Sequence, residues 1–272
     1  MDKKSKGKKL NIYLLIGIFM MSVVLILAFL SLFWTPYSPT EMGAKIRLNA
    51  PSWAHPFGTD NFGRDIFSRV MKAIGSSFVI SVLVVTFSGL LGIVLGAVTG
   101  YFGGIIDAVV MRIVDAINGF PSILLALVII SLLGKGRWNV ILALGLAFTP
   151  SFVRIVRGEF IRLRDADYIV RARLMGVRKI RILFVHILPN IVSTFLVSVM
   201  IGFNNAILAE SGLSYLGIGV QPPDATLGSM LSDAQGYINS APWYALAPGL
   251  TIIWMVLGAA MVSEGLQRRI KK

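Results

Sequence analysis

Six long apolar runs, separated by charged stretches, constrain this 272-residue chain more than any other feature. They occupy Leu10 to Phe33, Phe78 to Thr99, Ala116 to Leu133, Trp138 to Val156, Ile191 to Leu208 and Trp243 to Val262. A run of about 20 apolar residues matches the hydrocarbon thickness of a bilayer. Backbone groups in that medium must bond within their own segment, which favours helices for runs of this length. With 56% hydrophobic and 14% charged residues, the chain has too little polar surface for one water-soluble domain of its size. The sequence therefore predicts an all-α membrane protein with six transmembrane helices.

The first run follows Lys3, Lys4, Lys6, Lys8 and Lys9, an arrangement that also outlines a secretory signal. It exceeds the length of a signal core and ends in the interfacial pair Phe33-Trp34, so an uncleaved first helix is expected. The net charge of +13 is distributed between the apolar runs, which speaks for membrane topology and against a nucleic-acid face. Nine Arg or Lys residues fall between Val153 and Arg181. Placing them at mid-bilayer would cost on the order of 20 kcal/mol. Six crossings from a cytoplasmic amino terminus put Lys3 to Lys9, Arg112, the Arg154 to Arg181 cluster and the tail Arg268, Arg269, Lys271 and Lys272 inside. Lys45, Arg47, Arg64, Arg69, Lys72, Lys135 and Arg137 remain outside, as the positive-inside rule favours. A multi-pass protein with both termini in the cytoplasm is expected. Its parts are 1–73, an amino-terminal transmembrane helix with an external segment; 74–265, a transmembrane core containing the cytoplasmic loop 157–189; and 266–272, a basic cytoplasmic tail.

Arg112 and Asp115 are neighbours at i, i+3 on a helix, with Asp107 within reach of the same side. A partly neutralised boundary cluster is expected there, rather than an ion relay at mid-membrane. Pro121, Pro150 and Pro248 favour kinks in or beside apolar helices. Gly92, Gly96 and Gly100 form a small-residue stripe suited to close helix packing.

Catalytic signatures are missing from the sequence. It contains no Gly-x-x-x-x-Gly-Lys-Ser/Thr phosphate loop, no Gly-x-Ser-x-Gly elbow and no cysteine. His55 and His186 stand outside any zinc spacing. Asp165, Asp167, Glu210, Asp224, Asp233 and Glu264 are assigned to loops or helix ends. No catalytic or metal site is expected. A self-powered secondary carrier would show mid-membrane charges or inverted repeats, and the sequence displays neither. Asn204 and Asn205, near the outer end of the fifth helix, are candidates for lining a translocation path or for an interhelical hydrogen bond.

The loop 157–189 has its own pattern. Tyr168, Ile169, Ala172, Leu174 and Met175 alternate with Val170, Arg171 and Arg173, and Gly176 offers a left-handed helix stop. Such a short helix suits either the groove of a partner protein or an anionic lipid surface.

This segment resembles the EAA motif of ATP-binding cassette importer permeases, a short helix that docks into the ATPase and is followed by a glycine and a distal Leu-Pro. Val170-Arg171-Ala172 stands at the Glu-Ala-Ala position, Gly176 at the glycine and Leu188-Pro189 at the end. Two of the three name-giving residues depart. The resemblance extends to His55-Pro-Phe-Gly-Thr-Asp-Asn-Phe-Gly-Arg-Asp-Ile66, Gly100-Tyr-Phe-Gly-Gly104, Phe120-Pro-Ser, Ala209-Glu-Ser-Gly-Leu-Ser-Tyr-Leu-Gly-Ile-Gly-Val-Gln-Pro-Pro223 and Ser240-Ala-Pro-Trp243. In this order they resemble the second permease of the dipeptide, oligopeptide and nickel importer family. That resemblance implies a type I importer permease (MetI-like) core of five helices plus an amino-terminal helix, in a bacterial cytoplasmic membrane. It implies a second homologous permease, two ATP-binding subunits and an extracellular solute-binding protein as partners, beside membrane lipid. ATP and Mg would be bound by the ATPase subunits, with no cofactor in this chain. Tyr168 to Gly176 would be the ATPase-coupling helix. Peptide cargo is the first expectation, and nickel or a metal–metallophore complex the alternative.

Overall fold

The computed structural model describes residues 11–270. Lys3 to Lys9 and the tail residues Lys271 and Lys272 lie outside the described residues. Helix α1 (Ile12–Phe33) is followed by an ordered segment, then α2 (Ile66–Phe102), α3 (Gly104–Asn118), α4 (Ser122–Leu133) and α5 (Arg137–Arg164). A short α6 (Asp167–Leu174) precedes α7 (Lys179–Arg181), which runs through a π-helical segment (Ile182–Ile187) into α8 (Leu188–Tyr215). Short α9 (Leu227–Ala234) and long α10 (Pro242–Ile270) complete the order.

Among the described residues, five helical stretches are long and apolar enough to cross a membrane, and α3 with α4 makes a sixth if the bent pair counts as one span. That sixth span departs from the continuous Ala116 to Leu133 helix expected from hydropathy. The chain breaks at Gly119-Phe120-Pro121, and α3 and α4 meet at 89°. Proline disfavours helical geometry in the residue before it and removes a backbone donor, so Phe120-Pro121 stops one helix and starts the next. Pro150 and Pro248 instead lie inside the continuous helices α5 and α10.

Helix α2 begins twelve residues before the expected Phe78. Its cap explains the start: the Asp65 carboxylate accepts from the Ser68 backbone N–H at 2.8 Å. Hydropathy had set Arg69 outside the run, yet it is buried in α2 because its charge is met from elsewhere. Arg69 Nη1 donates to Asp60 at 3.0 Å, and its Nη2 lies 3.5 Å from Asp233. Asp60 is itself fully buried and also accepts from the backbone N–H groups of Phe62 and Arg64. These bonds fold segment 35–65 onto the same end of the bundle as α9, here termed the loop end.

The opposite, arginine-rich end carries α3, α6 and the termini of α5 and α10. Between the two ends α2 and α5 pack along the glycine stripe. A Cβ on Gly92 would lie 2.3 Å from Phe152 Cβ, one on Gly96 2.8 Å from the Val153 carbonyl oxygen, and one on Gly100 2.7 Å from that of Arg157. Only hydrogen at these positions permits the approach. The main core fills the loop half with residues such as Ile80, Val84, Leu144 and Ile207. A second cluster at the arginine-rich end joins Val156, Phe160, Ile169, Ile182, Ile187 and Ile191.

Candidate functional site

Helix α6 has the polarity its length requires. Asp167 occupies the first turn, and Arg171 and Arg173 the last, opposing the partial charges of the helix ends. Gly176 adopts φ +77°, and two bonds close the turn: Gly176 N–H to Arg173 O at 3.0 Å and Val177 N–H to Ala172 O at 3.1 Å. This paired closure needs a left-handed residue, the conformation glycine takes without a Cβ penalty.

The apolar residues of α6 do not all face outward. Ile169 and Ala172, three apart, are buried in the second core cluster or beside it, so the helix is seated on the end of α5 and on the π-helical segment through which the chain enters α8. Tyr168 and Val170 are exposed, and Leu174 and Met175 are 83% and 77% exposed. Arg171 and Arg173 share the exposed surface. Burial divides the helix: one face, Ile169 and Ala172, holds it in place, and Tyr168, Val170, Leu174 and Met175 are its exposed apolar groups. Beyond Gly176, α7 and the π-helical segment lead into α8.

The charged cluster at the α3 boundary also differs from expectation. Arg112 and Asp115 do not form an ion pair with each other. Asp115 accepts from Arg154 Nη2 at 2.7 Å, and Asp107 takes two bonds from Arg157, from Nε at 2.6 Å and Nη2 at 2.7 Å. Both arginines belong to α5, so the pairs tie α3 to α5 across chain separations that local sequence spacing does not reveal.

The two asparagines separate. With its amide oriented to satisfy both atoms, Asn204 donates to the Val256 carbonyl at 3.2 Å and accepts from the Ala260 N–H at 3.3 Å, bracing α8 against α10. Asn205 is exposed and lines a hollow of about 80 Å³ between α5 and α8, together with Ser151, Phe152 and Ser198.

Glu210, assigned to a loop or helix end, lies in the final turns of α8 and is fully buried, which the sequence reading did not anticipate. It accepts from Ser77 Oγ of α2 at 3.0 Å and from Ser214 Oγ of its own helix at 2.7 Å. Ser77 Oγ in turn accepts from the Leu227 N–H at the start of α9, 3.3 Å away. Three elements converge on this carboxyl. The Glu-x-x-x-Ser spacing of Glu210 and Ser214 was the only local signal for it. Among the described residues, no three His, Asp or Glu side chains gather as a metal-ligand set. His55 Nδ1 lies 2.9 Å from Asp65, the residue that caps α2.

Comparison with known proteins gives this geometry its context. Residues 92–272 match the family described as binding-protein-dependent transport system inner membrane component. The chain is 38% identical over 262 residues to the dipeptide transport system permease protein of Alkalihalophilus pseudofirmus, covering 96% of this chain and 86% of that protein. It is 34% identical over 257 residues to the di/tripeptide transport system permease protein of Pseudomonas aeruginosa, covering 92% and 85%. Among solved structures, the inward-facing MetNI methionine ABC transporter aligns with a TM-score of 0.58 at 18% identity, over 74% of this chain and 94% of that one. Similarity over most of the sequence and the shared fold lead to one family: the chain belongs to the binding-protein-dependent transport system inner membrane components, with the fold of a type I ATP-binding cassette importer permease.

Proposed function

We propose that this chain is one of two permease subunits of an importer that carries di- or oligopeptides across the bacterial cytoplasmic membrane, driven by two separate ATP-binding subunits. Near full-length similarity to permeases named for dipeptide and di/tripeptide transport carries the reading. Those relatives favour peptide over nickel or metallophore cargo.

The positive-inside rule orients the arginine-rich end toward the cytoplasm, with both chain termini there. In that orientation α6 faces the ATPases, which hold ATP and Mg. Leu174 and Met175 supply exposed apolar surface for a groove, flanked by arginines that steer the contact. The buried face, Ile169 and Ala172, passes a push on α6 to the end of α5 and the π-helical segment before α8 rather than letting the helix slide. At the other end, segment 35–65 and the residues between α8 and α10 receive the solute-binding protein. The hollow with Ser151, Ser198 and Asn205 lies on the path, where hydroxyl and amide groups can exchange hydrogen bonds with a peptide backbone without holding it by charge.

A self-powered carrier would need a titratable group that meets solvent from both sides. Glu210 is sealed at 0% exposure and committed to two serines. Reconstitution with its cognate subunits tests the proposal: labelled dipeptide should accumulate in proteoliposomes with ATP on the ATPase side, and Leu174→Asp should abolish accumulation. Accumulation unaffected by that change would remove α6 from the mechanism.

A further inference from the structure

The outer face of α1, α2 and α10 carries a groove separate from the α5–α8 hollow. Its origin lies in residue size. Toward the arginine-rich end, α1 and α10 touch backbone to backbone: a Cβ on Gly17 would lie 2.6 Å from Val262 N, and one on Gly265 2.8 Å from Leu14 Cα. Toward the loop end, α1 instead lies against α2, where a Cβ on Gly75 would stand 3.5 Å from Ser31 Oγ and 3.8 Å from the Ala28 carbonyl oxygen. On that half α10 carries Leu246, Leu250 and Trp254, too bulky for the same approach. Helix α1 therefore parts from α10. The opening is floored by Val70, Met71 and Ile74 of α2 and closed at the loop end by Pro51 and Pro56.

The opening measures about 450 Å³, within the roughly 300–1,000 Å³ of ordinary small-ligand sites. Its lining offers no charged side chain. Two polar atoms of its α10 wall are used internally: Thr251 Oγ1 donates to Ala247 O at 2.7 Å, and Trp254 Nε1 to Met20 O at 3.1 Å. The third, Trp243 Nε1, is buried without a hydrogen-bond partner. A peptide, nucleotide or ion would lose its hydration there and find at most the single N–H of Trp243 in return. Hydrocarbon loses nothing, and an unfilled cleft in the bilayer forfeits the dispersion contacts of its walls.

Length and width narrow the occupant. From Trp243 to Trp254, α10 rises about 16 Å at 1.5 Å per residue, close to one leaflet of a hydrocarbon core of about 30 Å. A helix of that length and about 10 Å diameter needs roughly 1,200 Å³, far more than the groove holds. The rim residues Leu246 and Leu250 are exposed, so the groove continues the surface that α1, α2 and α10 present to lipid. We propose that it is a binding site for one acyl chain of a phospholipid in the loop-end leaflet, wedged between α1 and α10 and resting on α2.

Photo-crosslinking tests this on the full chain, reconstituted in phosphatidylethanolamine and phosphatidylglycerol vesicles doped with a phospholipid bearing a mid-chain diazirine. Adducts mapped by mass spectrometry should concentrate on the Val70 to Ile74 and Leu246 to Trp254 peptides, above the open apolar surface at Leu90 and Leu142. Ala247→Trp, which fills the groove from α10, should reduce those adducts several-fold while leaving Leu90 labelling unchanged. Val23→Trp fills it from α1 and gives an independent reading should the first variant fail to insert. Labelling spread evenly over exposed apolar residues, or groove adducts that survive both fillings, would overturn the proposal.

Discussion

Arg157 holds Asp107 through two parallel hydrogen bonds of 2.6 and 2.7 Å, fastening α3 to α5 where the bent α3–α4 pair leaves the bundle. Two-pronged guanidinium contacts are among the stronger polar links, and both side chains here are mostly shielded. A double-mutant cycle of Asp107→Asn and Arg157→Gln, followed by unfolding in detergent, should give a coupling energy of about 1–2 kcal/mol. A coupling near zero would mean that α3 is held by its apolar face alone.

The glycine stripe makes a sharper steric prediction. Gly96→Leu would drive a side chain into backbone atoms of Val153 and Arg157, which cannot rotate away. A loss of about 1–3 kcal/mol or more is expected from overpacking. Gly158→Ala serves as the control, because a Cβ there meets nothing within 4 Å. That change should be neutral or stabilise by up to about 1 kcal/mol. Equal effects at the two positions would contradict the close α2–α5 approach at Gly96.

Helix α6 separates holding from docking. Leu174→Asp alters an exposed tip and should release the ATPase subunits while the permease still inserts normally. Ile169→Asp places a charge in a fully buried site and should unseat the whole segment, visible as protease sensitivity around 165–178. Ala172, being buried, belongs with Ile169: a bulky charge there should act through local unfolding. Copurification of the ATPase at wild-type levels with Leu174→Asp would exclude the exposed tip as the contact.

Hydropathy revealed which stretches cross the membrane but not how charge is accommodated inside them. The α1 span agrees with its sequence reading to within two residues because no charged residue interrupts its apolar run. Helix α2 reaches back to Ile66 because Asp60 and Asp233, distant in sequence, neutralise Arg69. Glu210 escaped notice for the same reason, its hydroxyl partner Ser77 lying 133 residues away. The α6 segment was legible as a helix with a glycine stop because those signals are local. Its division into seated and free faces depends on the end of α5 and the π-helical segment before α8, which no local pattern encodes. Likewise, Asn204 and Asn205 are adjacent in sequence but point to different neighbours, a consequence of the 100° turn between successive helical residues.

Two serines on α2 offer a matched comparison for Glu210. Ser77 reaches across to the carboxyl, whereas Ser81 bonds only to the Ser77 carbonyl of its own helix. Ser77→Ala should therefore cost about 1–3 kcal/mol, the penalty for leaving a buried carboxyl short of a partner. Ser81→Ala should cost clearly less. The order of their unfolding midpoints is the readout, and a reversed order would contradict the junction described at Glu210.

The loop end should respond to pH through Asp233 of α9. Burial pushes this carboxyl above its ordinary value, Arg64 draws it down and Asp60 raises it again. The Asp233 side chain is only partly shielded, at 43% exposure, and the guanidinium contacts, at 3.5 Å from Arg69 and 3.9 Å from Arg64, are too long for good hydrogen bonds that would offset its partial desolvation. A raised carboxyl favours the protonated folded form, so attachment of α9 should strengthen as pH falls through the raised value toward the ordinary one of about 3.9. Hydrogen exchange across residues 227–237, compared with Asp233→Asn, isolates this contribution. Protection that weakens over that window in the native chain relative to the variant would give the opposite sign.

The most direct test of import by a separate engine is dipeptide uptake into proteoliposomes, measured with this chain alone, with its partner permease, and with the full set of permeases, ATPases and binding protein. Accumulation is expected only for the full set, only with ATP on the side of the arginine-rich end. Uphill accumulation by the chain alone under a proton or sodium gradient would contradict it.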